Sequence, residues 1–181
     1  MWYNAPMIFT DKTKIPYFPP QKACCFTGNR PIKLPWGTNE EDIRCASLKE
    51  RLYCEVETLI KEGYTLFISG MAQGGDIYFA EIVLELRSKY PLVKLECAIP
   101  CPEQANGWGK EQKIRYNNIL EEADYHTIVS QEYSKGCMFK RNRYMVDKSS
   151  CIISVCYTET GGTASTVSYA RKKGLKVINL A

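Results

Sequence analysis

The sequence predicts an α/β fold: a Rossmann-like three-layer sandwich around a mostly parallel sheet of about six strands. Three observations predict it. Short apolar runs alternate with segments of helical period from Lys22 onward. Several of those runs stop in turns rich in glycine, proline and hydroxyl residues. The length of 181 residues suits one well-buried core and would cramp two.

The elements follow in order. Residues 1–21 read as an extended N-terminal arm. Pro6, Pro16, Pro19 and Pro20 block regular pairing, and Trp2, Tyr3, Phe9, Tyr17 and Phe18 give the arm apolar surface to lay on the domain or on a partner. The Rossmann-type domain spans 22–181. A first strand over 23–27 stops at Gly28. A loop over 29–38 precedes Thr38-Asn39-Glu40-Glu41, which has the spacing of a capping box. The helix behind it carries Ile43, Leu48, Leu52, Val56, Leu59 and Ile60 and ends at Gly63.

A second strand over 65–69 leads into the glycine-rich turn 70–75. Its helix runs from Asp76 to about Lys89, ahead of Pro91. Strand three covers 93–99 and is broken by Pro100 and Pro102. A polar helix over 110–122, strand four over 125–129, a helix over 138–148 and strand five over 151–157 follow. Gly161-Gly162 opens a last helix that ends at Gly174, and 176–180 is the final strand. Strands separated by helices imply right-handed βαβ crossovers, with the ligand crevice outside the carboxyl ends of the strands.

Composition excludes several classes. No apolar run is long enough to span a bilayer, and no basic-then-apolar leader opens the chain, so no membrane partner is expected. The net charge of +4 attracts anions but falls short of a dedicated nucleic-acid binder. Nine cysteines include no C-x-x-C pair, and the only histidine is His126, so neither a zinc site nor a disulfide framework is indicated. Most of these thiols read as small buried hydrophobes of a cytoplasmic protein.

Three strand ends carry chemistry. At the first, Gly28 permits close approach to a ligand, Asn29 follows, and Arg30 offers a forked pair of donors to phosphate. At the second, Ser69, Gly70, Gly74 and Gly75 expose backbone N–H groups ahead of a helix N-terminus, an anion cradle. Asp76 serves there as helix cap or as partner of a ribose hydroxyl. It is neither a Walker A loop nor a G-x-G-x-x-G turn. At the third, Gly161 and Gly162 precede Thr163, Ser165 and Thr166, whose hydroxyls supplement backbone donors or cap the helix. The two glycine loops are expected on neighbouring strands. Arg141 and Asn142 begin a helix near the same edge, within the basic cluster Lys140, Arg141 and Arg143. Gln104 and Trp108 follow strand three, where Trp108 stacks on a base or lids the core.

The order of these motifs resembles the SLOG superfamily, which includes the LOG-type phosphoribohydrolases, DprA and YpsA-like proteins. Met138, Arg141 and Met145 match its Met-x-x-Arg-x-x-x-Met helix, and Gly161, Gly162 and Thr163 its glycine-threonine loop. The YpsA-like branch is more similar still. Thr27, Gly28, Arg30 and Pro31 match its first turn, Pro100, Gln104 and Trp108 its Pro-x-x-x-Gln-x-x-x-Trp segment, and Arg141, Asn142, Asp147 and Lys148 its Arg-Asn-x-x-x-x-Asp-Lys run. The resemblance implies a Rossmann-like fold and a nucleotide-derived small molecule as ligand, with no resident cofactor. It departs from the phosphoribohydrolases at one point. Where those place a catalytic glutamate, this chain has Thr166 or Ser168, depending on how the glycines are aligned. Neither is an acid or base. Glu159 and Asp76 are the nearest substitutes in sequence. Binding or sensing is therefore the expectation, LOG-like N-glycosidic cleavage or DprA-like single-strand binding the alternatives, and self-association an expectation from the aromatic arm.

Overall fold

The computed structural model describes residues 11–181. Six strands form one parallel sheet: β1 (Ala23–Gly28), β2 (Leu66–Ser69), β3 (Lys94–Ile99), β4 (Tyr125–Ile128), β5 (Cys151–Val155) and β6 (Lys176–Asn179). Five α-helices connect them: α1 (Ile43–Lys61), α2 (Gly75–Lys89), α3 (Lys110–Glu122), α4 (Cys137–Asp147) and α5 (Gly162–Lys172). The predicted fold is the observed one, with every element within a few residues of its expected place.

Strand order is β4-β3-β2-β1-β5-β6. The chain builds outward from β1 to β4, then returns through α4 to add β5 on the other side of β1. Order reverses between β1 and β5, and ligand crevices of open α/β sheets lie at such a switch point. The expectation of neighbouring glycine loops is corrected here. The loops follow β2 and β5, and β1 lies between them. Their flanking of β1 makes the site three-sided.

Alternation along β1 divides the core. Cys24 and Phe26 join the larger cluster with α1, α2 and α3, whereas Ala23 and Cys25 face Met145, Val146 and Ala170 of α4 and α5. Phe26 stacks on Phe79 of α2 with centroids 5.0 Å apart. Seven cysteines are buried, Cys156 is partly exposed and only Cys54 lies on the surface, so most of them act as small apolar side chains.

Two local expectations change. The first helix is capped by Asp42, whose carboxylate accepts from the Arg44 N–H at 2.8 Å. Thr38 takes no part, because α1 begins only at Ile43 and Asp42 stands directly before it, while Glu40 of that motif pairs with Lys49 and Arg115. Likewise Gly74, not Asp76, is the N-cap of α2, and Asp76 lies in the first turn. Of the arm, Trp2, Tyr3, Pro6 and Phe9 lie outside the described residues. Lys12 accepts the His126 N–H at the β4 edge, and Phe18 packs edge-on against Tyr125 at 5.8 Å. Among the described residues no helix is long and apolar enough to cross a membrane.

Candidate functional site

The turn after β2 is held from several directions. Ser69 Oγ donates to the Asp76 carbonyl at 2.9 Å and accepts from the Met71 N–H at 3.2 Å, so this hydroxyl shapes the turn. Gln104 Nε2 donates to the carbonyls of Gly70 and Met71, at 3.1 and 2.9 Å. Arg141 Nη1 donates to the same Gly70 carbonyl. Gly74 has φ 88°, which an L side chain resists, and this lets the chain swing into α2.

The β1 and β5 ends are stapled by polar side chains. Buried Asn29 accepts the Tyr157 N–H at 2.8 Å, and its own N–H donates to the Val155 carbonyl. Thr163 Oγ1 donates to the Gly28 carbonyl at 3.1 Å. Asn142 Nδ2 donates to Thr166 Oγ1, which in turn donates to the Gly162 carbonyl. These hydroxyls are committed to the scaffold. Ser165 N–H is taken by the Gly161 carbonyl, and among the described residues the N–H groups of Gly162, Thr163 and Ala164 are the donors left without a partner there.

Between these loops lies a cavity of 280 Å³. It gathers Gly28, Asn29, Arg30, Asp76, Arg141, Asn142, Gly162 and Thr163 from the residues named in the sequence. Ser69, Gly70, Gly74, Gly75 and Gly161 frame its loops without lining it. Ser165 is exposed on α5 and does not reach it. Gln104 and Trp108 line a smaller neighbouring cavity of 80 Å³, which shares Arg30, Ala72 and Met138 with the first. Trp108 also packs edge-on against Tyr116 at 5.3 Å, so it borders the core and the crevice at once.

Sequence reading missed Lys33, Ile32 and Met138 as wall residues. Lys33 was legible in principle: it is a second cation three residues after Arg30 in one turn. In the basic cluster, Arg141 points inward, while Arg143 stacks on Phe139 and Tyr169 at 4.5 and 5.1 Å.

Three cations, Arg30, Lys33 and Arg141, face this cavity against a single carboxylate, Asp76. Arg30 is exposed, whereas Arg141 is 5% and Asp76 4% exposed. Burial lifts Asp76 to about 6, with Arg141 the main force in the other direction. Burial equally lowers Arg141, and Asp76 offsets that in part. The two groups act on each other's ionisation across the floor of the site without closing an ion pair, and Arg30 and Lys33 stand at its mouth. Among the described residues no cluster of His, Cys, Asp or Glu fits a metal ion.

A sequence profile of the YpsA family, described as "YspA SLOG family", matches residues 24–177. The chain is 35% identical over 138 residues to "Uncharacterized SPbeta prophage-derived protein YoqJ" of Bacillus subtilis (strain 168), covering 69% of this chain and 81% of that one. It is 29% identical over 157 residues to a UPF0398 protein of Bacillus cereus (strain B4264), 84% of each chain. Among solved structures, DNA processing protein A (DprA) of Streptococcus pneumoniae superposes with a TM-score of 0.61 at 16% identity, over 88% of this chain and 50% of that one. DprA of Helicobacter pylori, studied for its single-stranded DNA binding mode, gives 0.57 at 18% identity, over 88% and 65%. The chain therefore spans half to two thirds of the DprA chains, and at these identities the likeness is one of fold.

Proposed function

This chain belongs to the YpsA family of SLOG proteins, and we propose that it binds the phosphate of a nucleotide or nucleotide derivative in the crevice over β1 and β5. One observation carries the reading. Arg30, Lys33 and Arg141 converge with the N-terminal turn of α5 on a single cavity at the switch point of the sheet. Guanidinium groups and free helix N–H groups are the donors that phosphate oxygens take. Loss of water from the floor strengthens each of these contacts.

Isothermal titration against nucleoside mono- and diphosphates, cyclic nucleotides and ADP-ribose tests it. Binding of at least one, lost in Arg30→Ala/Lys33→Ala, supports the reading. No heat from any of them removes it. A single-stranded DNA oligonucleotide belongs in the same panel. A steeply salt-dependent isotherm for the oligonucleotide alone replaces the small-molecule reading with a DprA-like one.

A second reading, N-glycosidic cleavage, is favoured by Asp76. Neither candidate for the missing glutamate faces the cavity. The Thr166 hydroxyl is committed to Gly162, and Ser168 and Glu159 border a different cavity beside β6. Asp76 does line the cavity, and a carboxyl poised at about 6 suits general acid–base work near neutrality. Chromatography of a nucleotide incubated with the protein separates the two. Recovered nucleotide indicates binding alone, and free base indicates turnover.

A further inference from the structure

Asp76 is an unusual wall for a phosphate site. Its carboxylate lies in a cavity whose other charged groups are all cationic. Yet among the described residues no lysine or arginine closes an ion pair with it. Arg141, the nearest candidate, directs Nη1 to the Gly70 carbonyl and Nε to Asn142 Oδ1. Backbone N–H groups of Gly70 and of Asp76 itself favour the ionised form but do not outweigh its burial. The fold thus keeps a carboxylate facing the cavity with no side-chain donor on it among the described residues, an acceptor open to whatever enters.

The surroundings limit what that ligand group is. Phosphate is repelled by a carboxylate. An ammonium group or metal ion is repelled by Arg30 and Arg141, both of which act on Asp76 electrostatically. A neutral donor remains. Among the described residues no aromatic side chain lines this cavity, so they offer its floor nothing for a base to stack on. Among the described residues the aromatic ring beside it is Trp108, in the smaller cavity beyond Arg30. Hydroxyl donors joined to a phosphate fit these constraints, and a carboxylate accepting from ribose hydroxyls is the pairing that dinucleotide-binding sheets use.

We infer that Asp76 reads the sugar of the ligand: its carboxylate accepts from the 2′- and 3′-hydroxyls of a ribose whose phosphate lies against Arg30 and Lys33. The site then prefers ribonucleotides to 2′-deoxyribonucleotides. This rests on the phosphate-binding reading above and goes further in naming the sugar. Asp76 is a specificity residue in this scheme, and Trp108 and Gln104 lie on the side where the base is accommodated.

The test titrates the four ribonucleoside 5′-monophosphates and their 2′-deoxy counterparts into the wild-type protein, well above the pH at which Asp76 titrates. A hydrogen bond to a charged acceptor predicts about a tenfold or greater preference for the ribose form. Asp76→Asn and Asp76→Ser, checked for cooperative melting, erase the preference while still binding the 2′-deoxy compounds. Equal affinity of both series in the wild type overturns the inference and leaves phosphate binding intact. A preference that survives in both variants also overturns it, assigning sugar recognition to another group. Failure of every nucleotide, with inorganic phosphate and pyrophosphate inert too, overturns both readings together.

Discussion

The guanidinium of Arg141 lies over Gly70, in the space where any other residue at that position would place its β-carbon. An ideal Cβ on Gly70 would stand 2.6 Å from Arg141 Cζ and 2.8 Å from Asp76 Oδ1. The glycine of the β2 turn is therefore a passage for two charged side chains, one from α4 and one from α2. Its carbonyl in turn accepts from Arg141 and Gln104.

Gly70→Ala is accordingly expected to destabilise the fold by about 2 kcal/mol or more, because two buried charges must move. Denaturant unfolding measures it. Gly162→Ala is the contrast. An added Cβ there meets nothing within 4 Å, so stability is held or slightly raised. Gly162 lines the cavity, however, and the added methyl group narrows the approach to the α5 N-terminus, so phosphate affinity falls. A stable Gly162→Ala protein with undiminished affinity would count against that approach.

Asp76 links stability to pH. Its native value of about 6 lies above the unfolded 3.8, so the native state binds the extra proton between them. Stability is greatest below that window and falls as pH rises through it. Asp76→Asn is expected to match the wild type near pH ~4 and to exceed it by about 2 kcal/mol above pH ~6, in thermal or denaturant melts. An unchanged pH profile would show that the carboxyl is not held out of water.

Arg30 and Lys33 separate binding from folding. Arg30 is exposed and Lys33 lies at the mouth of the cavity. Each alanine variant should alter unfolding free energy by less than about 0.5 kcal/mol. Each should weaken nucleotide binding about tenfold, as loss of a charge-assisted contact does. Titration calorimetry alongside melting curves reads both quantities.

Asn29→Leu has the opposite signature. Removing its side-chain carbonyl strands the Tyr157 N–H at the junction of β1 and β5. A loss of about 1–3 kcal/mol is expected, together with weaker binding because the α5 loop loses its anchor. Hydrogen exchange at Tyr157 reports the loosening directly.

The two kinds of information divide cleanly at particular residues. The alternation of apolar runs with helical segments, and the glycines at 28, 63, 74 and 174, are local signals. Backbone sterics and side-chain period act over a few residues, so the sequence by itself determined six strands, five helices and the turns that carry Arg30, Gly70 and Gly162. Its motif order determined the family as well. What lies beyond such short-range rules was decided by tertiary structure. Strand order is fixed by the handed crossovers and by packing on both faces, and it put β1 between the two glycine loops. The same long-range packing turned Asp76 from an apparent helix cap into a cavity wall and buried Arg141 over Gly70. It also committed the amide of Gln104 to two backbone carbonyls and left Ser165 outside. Each of these depends on what lies opposite in space, and a buried charge takes its character from that partner rather than from its neighbours in the chain.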